Sequence, residues 1–278
     1  MPYRSDGSTT RLTDYAGLLD RANWSLAAFY QRQGPPMRRE YHAWRSPRLQ
    51  RTMELLVFGH AGARVLVFPT RGGRFYDYEN WGLVDALRHT VEAGNIQLFC
   101  VDSVDYESLY ARHRPPRERI ARHQQYEAYI LEEVVPFSQQ LNPNPHLIAH
   151  GCSLGAYHAV ALAFRHPQRF RKVVGLSGRY DLTMPMGSFR DLFDGHYDET
   201  VYFYNPCHFL PQLNDPVLLE ALRRLEIILA VGEEDVFLAN NQSLSAILWQ
   251  KGIWHALHIW PGEAHCAAVW RQMVPWYL

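Results

Sequence analysis

Apolar and polar residues alternate along the chain in short blocks, and the period of the blocks changes twice. Leu18, Leu19, Ala22, Leu26, Phe29 and Tyr30 recur at helical spacing and predict an amphipathic helix from about Tyr15 to Tyr30. The breaker Gln33-Gly34-Pro35-Pro36 separates this arm, residues 1–36, from a body over residues 37–278. The arm's apolar stripe is expected to pack on its own domain, with a pocket flap or a second copy of the chain as the other candidate roles. The body opens with β-like runs at Tyr41–Trp44, Met53–Phe58 and Arg64–Phe68, the last two joined through Gly59-His60-Ala61-Gly62.

Beyond Phe68 the rhythm becomes β-α. A helical pattern over Trp81–Glu92 ends at Gly94, and the strand Ile96–Val101 follows. Pro115 and Pro116 then introduce a long helix, about Arg117–Val135, with Ile120, Tyr126, Ile130 and Val134 on one stripe. Further strands are expected at His146–Cys152, Lys172–Leu176, Glu226–Val231 and His255–Trp260. About eight strands, hairpin-like at first and alternating with helices later, predict an α/β fold: a mostly parallel sheet with helices on both faces. Sites on such sheets lie at the carboxyl ends of the strands.

Composition narrows the function classes. Lys plus Arg and Asp plus Glu number 28 each, so no bulk positive charge points to nucleic acid, and no apolar run reaches the length of a membrane helix. Met1 to Thr10 is polar and lacks the apolar core of a secretion signal, which makes the cytoplasm the expected compartment. Cys100, Cys152, Cys207 and Cys266 show no C-x-x-C spacing, and the histidines show no H-E-x-x-H. Reduced thiols are expected, with no disulfide between Cys152 and Cys266. No metal is implied, and small neutral partners fit best.

The strand His146–Cys152 runs into Gly151-Cys152-Ser153-Leu154-Gly155, followed by the helix-forming Ala156-Tyr157-His158-Ala159-Val160-Ala161-Leu162-Ala163. A strand, a G-x-S-x-G turn and a helix in that order form a nucleophile elbow, with Ser153 lifted above the sheet edge. Serine needs a base, and the base needs a carboxylate to hold its tautomer. Later strand ends supply both types: Gly232-Glu233-Glu234-Asp235 after one strand and Pro261-Gly262-Glu263-Ala264-His265 after the next. The order Ser153, Asp235, His265 is that of α/β hydrolases. Asp181, Glu233 and Glu234 are rival carboxylates. An oxyanion needs N–H donors, and the Leu154 amide with one from Pro69-Thr70-Arg71-Gly72-Gly73-Arg74, expected to be Gly72, would provide them.

From about Tyr41 onward the chain resembles the Putative esterase family of α/β hydrolases, which includes esterase D, feruloyl esterases and the antigen 85 mycolyltransferases. The matching stretches are Phe68–Tyr76, Glu132–Phe137, His150–Ala156, His166–Phe170, Gly232–Asp235, and His265 with Trp270. The resemblance implies a serine carboxyl-ester hydrolase acting through an acyl-enzyme on a small-molecule ester, without cofactor. An acyltransferase with an alcohol or sugar acceptor is the alternative on the same machinery. It also favours Asp235 as the triad acid. Many relatives carry Met-Gly-Gly after the serine, where this chain has Leu154-Gly155-Ala156.

Two other stretches carry expectations. A cap-like connection at about 179–225 holds Phe189, Phe193, Tyr197, Tyr202, Phe203, Tyr204 and Phe209, suited either to an apolar cleft or to ordinary packing. Arg112, Arg114, Arg117, Arg119 and Arg122 form a basic cluster, read as a solvated helix face with an anion-attracting role as the alternative.

Overall fold

The computed structural model describes residues 37–278, and the expected arm helix lies outside the described residues. Eight strands form one sheet in the order β1-β2-β4-β3-β5-β6-β7-β8. They are β1 (Arg39–Ser46), β2 (Arg51–Phe58), β3 (Ala63–Phe68), β4 (Ile96–Val101), β5 (Leu147–Cys152), β6 (Lys172–Leu176), β7 (Glu226–Gly232) and β8 (Ala256–Trp260). β1 and β2 form the expected hairpin, but β3 does not continue it. β2 pairs antiparallel with β4, and β3 inserts between β4 and β5 with parallel pairing on both sides. The remaining neighbours β5 to β8 are all parallel.

Side-chain alternation in the central strands fills both faces. Leu66, Phe68, Phe99, Val101 and Ala149 enter one core, while Val65, Val67, Leu98, Cys100 and Ile148 enter the other. Because both faces are covered, the central strands read as nearly continuous apolar runs, and their limits could be found within a residue or so. β1 is longer than expected: it is an edge strand whose exposed positions include Arg39, Tyr41 and Ala43, so polarity conceals its ends.

Two helices depart from expectation, each for a local reason. The stretch around Trp81–Glu92 is three short helices, Asp77–Asn80, Leu83–Ala86 and Arg88–Glu92. Gly82, at φ 73°, is left-handed and breaks the first from the second. The helix starting at Pro116 runs to Tyr129, widens into a π turn at Ile130–Val134, and continues as Val135–Leu141 past Pro136. Proline lacks an N–H and crowds the carbonyl four residues back, and the wider turn accommodates it where an α-helix would be expected to stop. No helix among the described residues is long and apolar enough to cross a membrane. All four cysteines are free.

Candidate active site

Ser153 sits between β5 and the helix Leu154–Arg165 with φ 56° and ψ −120°, a conformation that costs a non-glycine residue about 1–3 kcal/mol. Its surroundings hold it there. The Ser153 amide donates to Leu176 O at 2.8 Å, and its carbonyl accepts from the Ala156 amide at 3.0 Å. The two glycines of the motif are required by contact: a Cβ on Gly151 would lie 2.3 Å from the Gly155 carbonyl carbon, and one on Gly155 would lie 2.3 Å from Phe68 O. Any side chain at either position would push the helix off the strand and displace the serine.

The strand ends after β7 and β8 bring the partners. His265 Nε2 accepts from Ser153 Oγ at 3.0 Å, and His265 Nδ1–H donates to Asp235 Oδ2 at 2.9 Å. The other Asp235 oxygen accepts from the Phe237 amide at 3.0 Å, so the carboxylate cannot swing away without losing a backbone bond. The two loops are locked to each other: a Cβ on Gly232 would lie 2.1 Å from Glu263 O, the Glu233 amide donates to Trp260 O, and Glu233 Oε1 accepts from the Gly262 amide. Behind His265, Trp270 Nε1–H donates to Ser177 Oγ at 3.1 Å, and Ser177 Oγ–H donates to Ala264 O at 3.3 Å. The rival carboxylates are engaged otherwise. Glu233 serves the loop lock and Glu234 is exposed. Asp181 accepts from Thr183, Met184 and His208. Burial raises the Asp181 carboxyl, but the His208 and Thr183 hydrogen bonds outweigh it and hold the group at about 2.

The loop after β3 corrects the expectation for Gly72. Its amide donates to Asp105 Oδ2 at 2.8 Å, so this N–H is already satisfied by a carboxylate and is not free for an oxyanion. A turn closed by Gly73 N–H to Thr70 O at 2.8 Å leaves the Arg71 amide, one residue earlier, with no acceptor among the described residues; the Leu154 amide likewise has none. Arg71 and Leu154 both line the cleft that contains Ser153 and His265. Asp105 is itself held by His158, whose Nε2–H donates to Oδ1 at 3.1 Å. Neither Asp105 nor His158 stands out in the sequence as part of a site, because what links them to the loop is a contact across 33 and 53 residues.

The family model for Putative esterase matches residues 67–265, which include the elbow, the loop after β3 and both later strand ends. The chain belongs to the Putative esterase family. A ferulic acid esterase has the same fold, at TM-score 0.66 and 14% identity over 86% of this chain and 95% of that one. So has the fluorophosphonate-binding serine hydrolase F of Staphylococcus aureus, in a substrate-bound structure, at TM-score 0.68 and 17% identity over 86% and 96%. An S-formylglutathione hydrolase from Agrobacterium tumefaciens matches at TM-score 0.67 and 15% identity over 87% and 94%. At these identities the likeness is one of fold. No curated protein matches the chain in sequence.

In this esterase the serine opens onto a cleft of about 280 Å³ walled by Trp81, Phe189, Phe237 and Trp270, with Arg71, Tyr110 and Arg179 among the polar groups. Of the aromatic residues in the long connection, Phe189 reaches the cleft, whereas Phe193, Tyr204 and Phe209 are core and Tyr197 and Phe203 face solvent. The expected basic helix face is split. Arg119 is buried, bonded to Leu192 O and Asp194, and Arg122 meets Glu107, while Arg112, Arg114 and Arg117 are exposed.

Proposed function

We propose that this esterase cleaves small-molecule carboxyl esters through an acyl-enzyme on Ser153. As Oγ attacks the ester carbonyl, its proton passes to His265 Nε2, and the imidazolium is stabilised by Asp235 across the Nδ1–H bond. The charge that develops on the carbonyl oxygen is received by the amides of Leu154 and Arg71, each such donor being worth about 10²–10³ in turnover. His265 returns the proton to the departing alcohol, leaving the acyl group on Oγ. Water then repeats the sequence: its proton goes to Nε2, its oxygen forms the acid, and Oγ regains its proton. Every proton has a named carrier, and the reaction calls for no cofactor.

The observation that carries this reading is the unbroken relay Ser153–His265–Asp235 at the floor of an aromatic cleft. The proteins of similar fold, a ferulic acid esterase and an S-formylglutathione hydrolase, agree with an ester or thioester of modest size. The free cysteines suit a cytoplasmic location. A panel of nitrophenyl esters of graded chain length tests the reading, with free acid and nitrophenol measured together. Equal release of both, unaffected by added alcohols or sugars, is the expected result. Acceleration by an acceptor with little free acid would make the chain an acyltransferase. No release from folded protein by any ester, with Ser153 inert to fluorophosphonate, would overturn the reading.

A further inference from the structure

The permanently charged side chains of the cleft wall are of one sign. Two guanidinium groups, Arg71 and Arg179, line it, and no Asp or Glu does. Arg179 is unlike Arg74, Arg119, Arg122 and Arg165, which are partly or fully buried and each meet a carboxylate. It shares the lack of one with buried Arg64, which lies away from the cleft and bonds to Asn144 O, Val135 O and Ser138 Oγ. Arg179, 3% exposed, instead donates to the carbonyl oxygens of Asp181, Leu182, Met184 and Arg190, and its Nη1 has no hydrogen-bond partner among the described residues. Carbonyl dipoles fix the position of a guanidinium without neutralising it. The carboxylates that act on Arg179 through space are already bonded elsewhere, Asp181 to Thr183 and His208, and Asp191 to the Phe193 and Gly195 amides.

Arg71 is exposed and forms no ion pair among the described residues. Its guanidinium lies over the rings of Tyr110 and Phe189, 5.6 Å and 5.8 Å from their centroids. Tyr110 shows that the two arginines converge: burial raises its phenol, and the charges of Arg71 and Arg179 both pull it back. A buried cation with no carboxylate in direct contact is costly, and a planar guanidinium fork is suited to a carboxylate. Stacking on aromatic rings fixes the second fork with little loss of freedom.

We infer that the ester this enzyme takes carries a carboxylate, which Arg179 and Arg71 bind in the cleft beside Ser153. The inference rests on the ester-hydrolase reading and deepens it from small esters in general to acidic ones. The carboxylate can belong to the acyl part or to the alcohol part, and two matched pairs of substrates separate these. For the acyl part, mono-para-nitrophenyl adipate is compared with its neutral terminal amide, after subtraction of the uncatalysed rate. For the alcohol part, para-carboxyphenyl butyrate is compared with para-carbamoylphenyl butyrate.

The wild-type enzyme is expected to favour the charged member of one pair by about tenfold or more in kcat/KM, the size of one charge-assisted contact. That ratio should fall to near unity in Arg179→Gln and in Arg71→Gln, and recover in part in Arg179→Lys. Because the readout is a ratio on one enzyme, a general loss of activity in a variant does not affect it. If Arg179→Gln does not fold, Arg71→Gln and the wild-type ratio still decide the matter. Neutral esters cleaved as well as or better than both charged ones by the wild type would overturn the inference and leave the hydrolase reading standing. No ester cleaved, with Ser153 unlabelled by fluorophosphonate, would remove the reading and the inference together.

Discussion

Two histidine–aspartate pairs of this esterase are built from the same groups at nearly the same distance, and only one is placed to move a proton. His265 and Asp235 meet at 2.9 Å, and His158 and Asp105 at 3.1 Å. The carboxylates are equally hidden, at 0% and 1% exposure, but the His265 side chain is 18% exposed and that of His158 only 2%. On its far nitrogen His265 holds the Ser153 hydroxyl, whereas His158 Nδ1 has no partner among the described residues. The difference lies also in what the carboxylate does with its second oxygen. Asp235 fixes itself to Phe237, while Asp105 fixes the backbone of the loop at Gly72. A carboxylate beside a histidine is therefore half of a site; access and the third partner decide whether it conducts protons or only holds a loop.

Asparagine substitution breaks the comparison most sharply. Asp235→Asn should keep the fold and lower kcat by about 10³–10⁴ in a steady-state ester assay, because an amide favours the tautomer in which Nε2 cannot accept the serine proton. Asp105→Ala should come next. Loss of the Gly72 anchor frees the turn that presents the Arg71 amide, and a drop in kcat of about 10²-fold with a small change in KM is expected, the size of one misplaced oxyanion donor. Asp105→Asn should cost under about tenfold, since an amide oxygen still accepts from Gly72 and its nitrogen can donate to His158 in the other tautomer. Two asparagine variants with equal losses in turnover would contradict the distinction.

The smallest effect is expected at a third pair, His208 with Asp181, which lies outside the relay. Asp181→Asn should change kcat by less than about tenfold, as for one lost loop hydrogen bond of about 1 kcal/mol. Its signature is instead in stability against pH. The folded carboxyl sits at about 2, below its ordinary 3.8, so it stabilises the fold above pH 3.8 and loses that contribution as the pH falls toward 2. Thermal melts should show the wild type above Asp181→Asn near neutral pH, with the gap closing between those two values.

The contrast between the pairs also marks what a reader of the sequence can and cannot see. Ser153 is legible because strand, glycines, serine and helix are contiguous, and the two glycines are demanded by contacts within that motif and with the adjoining strand β3. Asp235 is legible because it follows β7, a mostly buried apolar strand whose end is easy to find, whereas His265 follows β8, an edge strand with half-buried and exposed residues, and is marked by the Pro261-Gly262 turn instead. That the Gly72 amide is already taken is not legible: which amide of a tight turn remains free depends on Asp105, a residue of another loop. Arg179 is hidden for the same reason, its carbonyl partners being brought together only by the fold of residues 181–190. The insertion of β3 between β4 and β5 is likewise a long-range outcome that short connections between runs do not suggest.

The central claim, that Ser153 is the nucleophile activated by His265, is tested most directly by the intact mass of the protein after brief treatment with a fluorophosphonate. The account predicts one phosphonyl adduct, located on Ser153 by peptide mapping. The adduct should be absent from Ser153→Ala and formed slowly by a folded His265→Gln. An adduct that persists in Ser153→Ala, or that forms at the wild-type rate without the histidine, would contradict it.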